Sequence, residues 1–520
     1  MTHPWTLALA VLVPLVVISA AGAVVGVQLL TALGVTPNTA LIGALLAMIL
    51  GRVPGLGVFR SIHAQNLAQS AMSAATFGAA NSLLLPIGVP YLLGRPDLVT
   101  PMLVGVAAAM FLDALLLYRM FGSRIFPADA AWPPGMAAAE AIRAGDAGGR
   151  QARVLGASLA AGAAGAWFGV PMAAVGTACI GNAWALSMFG VGLLVSGYAP
   201  RLAGVSLQAH FVPHGMMIGA GLVALAQVAL QLRAAREHAP GDPARASTPS
   251  IGGTLTAGAV AYLAIATLLA LACGLAAAMP LPMLVLFVVY AAFAAYVHEL
   301  IVGLAAMHSG WFPAFAVALI TLLVGLLLGF PPVALAVLTG FSVATGPAFA
   351  DMGYDLKAGF VLRGRGADPD FEAAGRREQL VAALVAFTVA LVVVTLSWSG
   401  YFAAGLVPPV AKVYVATIQA GVAPEVAPSL LLWALPGALL QLAGGPRRQM
   451  GVLLATGLLI SNPAAGWGVM AGMAARVVWT RGLGRPDAAL EVVAAGFIAG
   501  DALWSFGDAL VRDRFRGGRG

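Results

Sequence analysis

Charge is scarce in this chain. Asp, Glu, Lys and Arg supply 9% of 520 residues, where an average soluble domain carries roughly a quarter. A soluble fold of this length could not stay dispersed with so few. Lysine is nearly missing: Lys357 and Lys412 are the two present, and arginine supplies the rest of the 27 basic residues. Those arginines sit mainly between apolar runs and are not interleaved with aromatics, so the net charge of +7 fits the positive-inside pattern and excludes a nucleic-acid partner. Cysteine is limited to Cys179 and Cys273. Both lie within apolar runs and outside any CxxC motif, and read as small core residues. No Gly-x-x-x-x-Gly-Lys-Ser/Thr string occurs, so ATP drive would need another chain. Met1–Gly22 holds no Lys or Arg and its apolar run continues to Leu30, which reads as a first span rather than a cleaved signal.

What is present is apolar. Hydrophobic residues make up 61% of the chain, arranged in runs long enough to cross a hydrocarbon core, for which about 20 residues suffice. The 64 glycines and 32 prolines suit close helix contacts and broken helices inside a bilayer. Apolar runs begin at Thr6, Asn38, Ile62 and Thr100, and three more reach Leu232. Beyond residue 250 they include 255–278, 281–304, 312–328, 332–350, 380–396, 401–420, 427–442, 451–478 and 489–511. The expected fold is an all-α polytopic membrane protein of about 16 transmembrane helices (range about 14–16), with broken or re-entrant helices at the functional site. Residues 233–250 form the clearest linker; apart from prolines they hold no apolar residue larger than Ala and cannot bury a core. They divide the chain into an N-terminal half, 1–232, and a C-terminal half, 251–520. Each half has a polar segment, 119–153 and 351–378, with five basic residues apiece, expected to face the cytoplasm. The string Gly215–Leu222 has a counterpart in Gly451–Leu458, 236 residues on. Together these suggest two similar halves in a parallel repeat.

Several strings carry identity. Trp132-Pro133-Pro134-Gly135-Met136-Ala137-Ala138-Ala139-Glu140 is similar to a Tyr-Pro-x-Gly-x-Ala-x-Ala-Glu segment. Asp355-Leu356-Lys357-Ala358-Gly359-Phe360 is similar to Asp-Leu-Lys-Thr-Gly-Tyr, and Arg376-Arg377-Glu378-Gln379 follows it. Gln65-Asn66-Leu67-Ala68-Gln69 matches Glu-Asn-x-x-Gln, and Gly496-Phe497-Ile498-Ala499-Gly500-Asp501 matches Gly-Leu-Ile-x-Gly-Asp/Glu. In order along the chain, these strings resemble the oligopeptide transporter (OPT) family, in particular bacterial members related to its yellow-stripe-like metal-chelate branch. The stretch Ala305–Trp311, with Met307-His308-Ser309, departs from the family pattern where the solute path is expected.

Ionisable groups inside spans cost about 2.5–3.5 kcal/mol on insertion scales, so each needs a reason. His298-Glu299 is the sharpest case. Val302 stands where a zinc protease would need its second His, so that chemistry fails. A solute or proton site, or a hydrogen-bonded helix contact, remains. His210 and His214 are four apart, a spacing able to chelate a metal on one helical face, though Pro213 and Gly215 break that face. His308 follows a span, as a path residue or an interfacial one. Gln65, Asn66 and Gln69 could bind a zwitterion without a full charge penalty, or simply join helices. Asp501 beside Gly500 suits a cation near a broken helix. Asp351, Asp355 and Lys357 form a charged string at a span end, either a mutually paired cap or a gate or proton relay, and Glu140 is a further candidate for that role. No metal site is assigned and no cofactor is expected.

The family resemblance implies a secondary transporter: proton-coupled symport of small peptides, peptide-like compounds or metal chelates across the inner (plasma) membrane. The expected partners are that solute, protons and membrane lipid, with a homodimer as a further assembly. Two rivals from other classes are an intramembrane enzyme built on His298-Glu299 and a passive solute channel.

Overall fold

The computed structural model describes residues 3–33, 39–180, 182–237, 251–310, 312, 314–421, 426–460, 462–484 and 487–516. Among these the chain is helical, apart from turns, loops and one bridged pair, Phe121 and Phe126. Among the described residues nine helices are long and apolar enough to cross a membrane. Several of the remaining helices are short: Ala40–Leu50, Met172–Ile180 and Met450–Ile460 have 11, 9 and 11 residues. At 1.5 Å per residue, 11 residues rise about 16 Å, half a hydrocarbon core. The apolar run expected from Asn38 to Ile49 is therefore a half-length helix.

Eight helices build the centre. They are α1 (Leu9–Leu33), α2 (Ile62–Leu92), α3 (Pro96–Met120), α4 (Pro133–Ala147), α5 (Leu281–Ser309), α6 (Pro332–Ala344), α7 (Pro347–Leu362) and α8 (Pro369–Ala403). Helix α2 packs against α1, α7 and α8 and is enclosed by protein on every side. Its polar residues therefore face other helices rather than lipid. Helices α6 and α7 form one 31-residue span, Pro332–Leu362, which is almost as enclosed. It breaks at Thr345–Gly346, where Gly346 takes φ +98 and Pro347 opens the second segment. A side chain at 346 would be strained by that φ. The polar segment expected over 351–378 is thus corrected at its start: 351–362 belongs to a buried helix, because α2 supplies hydrogen-bond partners for its acids.

Eight further helices form a second group, Gly149–Trp167, Met172–Ile180, Ala183–Leu202 and Val212–Glu237 against Val426–Arg448, Met450–Ile460, Pro463–Val477 and Asp487–Arg516. They pair in reverse order, first with last and fourth with fifth. The fourth and fifth helices meet through glycine: a Cβ at Gly219 would lie 1.8 Å from the Ala434 carbonyl oxygen, and one at Gly437 2.1 Å from that of Met216. Such contacts replace the hydrophobic drive that lipid-facing helices lack.

Two features occur twice along the chain. The buried 31-residue spans begin at 62 and 332, 270 residues apart. Asn182 and Asn462, 280 apart, each cap the helix that follows a short apolar one, accepting from Ala185 N at 3.2 Å and Ala465 N at 3.0 Å. The 236-residue match of Gly215–Leu222 with Gly451–Leu458 departs from this register. It joins a long helix to a short, Asn-terminated one. Val212–Glu237 also carries helix into the first five residues expected as linker, and 238–250 lie outside the described residues.

Candidate functional site

Asp351 and Asp355 stand one turn apart on α7, so their carboxyls share a face. That face meets α2. Gln69 Nε2 donates to Asp355 Oδ1 at 2.5 Å, and Ser73 Oγ donates to Asp351 Oδ1. Gln69 and Ser73 are also four apart, so the two helices match turn for turn. Behind them Gln379 of α8 donates to the Asp355 carbonyl at 2.6 Å and to Ser70 Oγ at 3.2 Å. Its oxygen accepts from Arg363 Nη1 at 2.7 Å, and Arg363 forks onto Glu372 at 2.8 and 2.9 Å. This network clamps α2, α7 and α8 into one unit. Ionised partners and forked geometry make its last link the strongest.

Five oxygens in this region have no hydrogen-bond partner among the described residues: Oδ2 of Asp351, Oδ2 of Asp355, Oε1 of Gln69, Oε1 of Gln65 and Oδ1 of Asn66. All five residues are buried. Gln65 spends its amide nitrogen on the Phe59 carbonyl at 3.0 Å. An unpaired buried acceptor costs about 1–3 kcal/mol. The shared polarity is informative, because every one of these atoms accepts. A donor-rich or cationic group would satisfy them, and an anion would not.

A second buried polar centre lies on α5. His298 Nδ1 is 3.2 Å from Ser342 Oγ of α6, and Ser342 donates to Thr321 Oγ1 at 3.1 Å. His298 and Thr321 also line a half-open, mainly apolar cavity of about 170 Å³ beside Met217, Phe293 and Val297. Glu299 turns away toward Tyr262 and Asp113. Tyr262 donates its hydroxyl to Asp113 Oδ1, and Gly346 N donates to Asp113 Oδ2 at 2.8 Å. Sequence reasoning missed Asp113 and Tyr262. The signal was there, since Phe111-Leu112-Asp113-Ala114 places an acid in an apolar run, as costly as Glu299. It also missed Ser70, Ser73 and Arg363, which look ordinary until the helices meet.

The remaining candidates stand apart. Lys357 is two residues from Asp355, hence on another face. Its Nζ donates to the Ala128 carbonyl at 2.8 Å and lies 5.6 Å from the Phe360 ring centre. The mutual ion pairing considered for Asp351, Asp355 and Lys357 is therefore replaced by separate contacts. Glu140 pairs with Arg143 at 3.2 Å, and Arg143 reaches the Val361 carbonyl, so both brace α4 against the end of α7. His210 is exposed in the turn before Val212–Glu237, its Nδ1 2.8 Å from the Ser206 carbonyl. His214 is buried within that helix. The two share no helical face, because the helix starts between them. His308 is buried at the end of α5, with no hydrogen-bond partner for Nε2 among the described residues. Asp501 accepts from Ala173 N at 2.6 Å and from Ser505 at 3.3 Å, capping the start of Met172–Ile180. Among the described residues no three His, Cys, Asp or Glu side chains come together as a metal site.

The family model described as OPT oligopeptide transporter protein matches residues 6–232 and 246–511. No curated protein matches the chain.

Proposed function

The chain belongs to the OPT oligopeptide transporter family, and from that premise we propose that it is a proton-coupled symporter whose solute is held by its ammonium group between α2 and α7. It is a multi-pass membrane protein of a transporter family. The observation that carries the reading is the set of unpaired acceptor oxygens on Asp351, Asp355, Gln69, Gln65 and Asn66. A primary ammonium offers three donors and one positive charge, which answers both the orphaned acceptors and the acid pair. Small peptides and peptide-like compounds carry that group; metal chelates are a second solute class on the family resemblance alone, because an amino nitrogen that ligates a metal carries no ammonium. His308 and His298 are further path candidates.

The membrane in this reading is the inner membrane, with 119–153 and 363–378 toward the cytoplasm. The two halves derive from duplication, with corresponding helices about 270–280 residues apart, as the spans starting at 62 and 332 and the caps at 182 and 462 suggest. A parallel repeat of about 16 crossings, counting the short helices in pairs, and a homodimer complete the proposal. Transport alternates between two access states, and solute and proton bias the same equilibrium.

Proteoliposomes with an imposed pH gradient test it. Saturable accumulation of a labelled di- or tripeptide or a metal chelate, weaker for the N-acetylated compound, is the expected result. Flux that never saturates and ignores the gradient would instead mark a channel, and no flux of either solute class would reject the proposal.

A further inference from the structure

The proposed solute site does not use the Asp113 centre, yet that centre touches the helix that carries it. Asp113 accepts two hydrogen bonds, one from the Tyr262 hydroxyl of helix Ile251–Ala272 and one from Gly346 N at 2.8 Å. Gly346 is the residue that caps α7. A carboxylate at that position accepts an otherwise unmatched backbone N–H and lies at the positive end of the helix dipole. Both features favour Asp113 as the ionised, accepting partner.

Glu299 is aimed into the same centre from α5. It is 1% exposed, and among the described residues neither of its carboxyl oxygens has a hydrogen-bond partner, the nearby Tyr262 hydroxyl being spent on Asp113. The titratable groups facing it are Asp113 from α3, Tyr262 from Ile251–Ala272 and Tyr296 on its own helix; no Lys or Arg is among them. Two ionised carboxylates without a cation in an enclosed interior would leave both charges uncompensated, at a cost of several kcal/mol. With Asp113 supplied with two donors and Glu299 with none, the pair is stable when Glu299 carries a proton.

We propose that Glu299 holds one exchangeable proton against Asp113, and that this is the coupling proton of transport. This rests on the symport reading above and deepens it. The balance is simple. One proton enters from the side of higher proton concentration, bonds to a Glu299 oxygen, and leaves to the other side, with no other bond changed. Loss of the proton puts like charges on α3 and α5, and their repulsion acts on the Asp113 carboxyl that holds Gly346 N. That loosens the break at Thr345–Gly346, and Asp351 and Asp355 follow on the first turns of α7. The solute site and the proton site thus share one movable joint.

Infrared spectroscopy of the wild-type protein in lipid at pH 7 tests the protonation directly. The wild-type minus E299Q difference spectrum is expected to contain a deuterium-sensitive band of a protonated carboxyl, which separates it from any band of the buried Asp351 and Asp355 pair. The second measurement is a weakly buffered suspension followed with a pH electrode on addition of solute. Wild type should exchange about one proton per bound solute, while E299Q should exchange none and bind with an affinity that no longer varies with pH. A difference spectrum without that band overturns the proposal even if E299Q is too unstable for binding work. A band that behaves as expected in a protein that accumulates no peptide or chelate would leave the proton site standing and sink the symport reading instead.

Discussion

Replacing Asp355 by asparagine separates the charge of the proposed site from its shape. Asparagine keeps the volume and still offers an oxygen to Gln69 Nε2, 2.5 Å away in the wild type, so the clamp between α2 and α7 should survive. What disappears is the negative charge. Hydrogen bonds to a charged group contribute about 1.5–3 kcal/mol and neutral ones about 0.5–1.5. An ammonium that loses its charged acceptor therefore loses about 1–2 kcal/mol, a factor of about 5 to 30 in affinity. An N-acetylated peptide carries no ammonium and should lose almost nothing. The assay is equilibrium binding of both peptides to purified wild-type and D355N protein in detergent. The decisive quantity is the ratio of the two affinities, which cancels general damage to the fold. The expected outcome is a ratio that falls five-fold or more in the mutant. If D355N weakens both peptides equally, or leaves the ratio at its wild-type value, the ammonium assignment is wrong.

Further substitutions probe the packing of the fold. Arg363→Met leaves Glu372 without its fork and the Gln379 oxygen without a donor; a broken buried pair costs about 3–5 kcal/mol, so thermal melting in detergent should fall sharply, and the R363M/E372L double mutant should recover part of the loss. Trp132→Ala removes a fully buried ring from between Phe126 and Tyr354. Cavity formation of this kind costs about 3–5 kcal/mol, and unfolding in a denaturant series should show it. Gly219→Ala places a methyl 1.8 Å from the Ala434 carbonyl. Forcing those helices apart should cost about 1–3 kcal/mol or more, as in ordinary overpacking, read as a lower melting temperature, whereas Ala at Gly400, where a Cβ would meet nothing within 4 Å beyond its own helix backbone and chain neighbours, should hold or raise the melt.

The sequence alone determined the solvent of this protein. Few charges and long apolar runs admit a bilayer and little else, and ordered strings such as Asp355–Phe360 carry the family, which the family match then established. It also pointed to Gln69 and Asp355, because polar groups in apolar runs must find partners. Composition could not say which partners. That Gln69 meets Asp355 across 286 residues depends on the packing of α2 against α7. The split between Asp355 and Lys357 depends on helical rotation, and the role of Asp501 on the helix start it caps. Asp113 was visible as an acid in an apolar run, yet its meaning came only when the break at Gly346 and the carboxyl of Glu299 arrived beside it. Periodicity fixes which face of a helix a residue occupies. Only tertiary packing brings two such faces together, and in a chain whose polar groups are so few, that meeting decides which of them form a site.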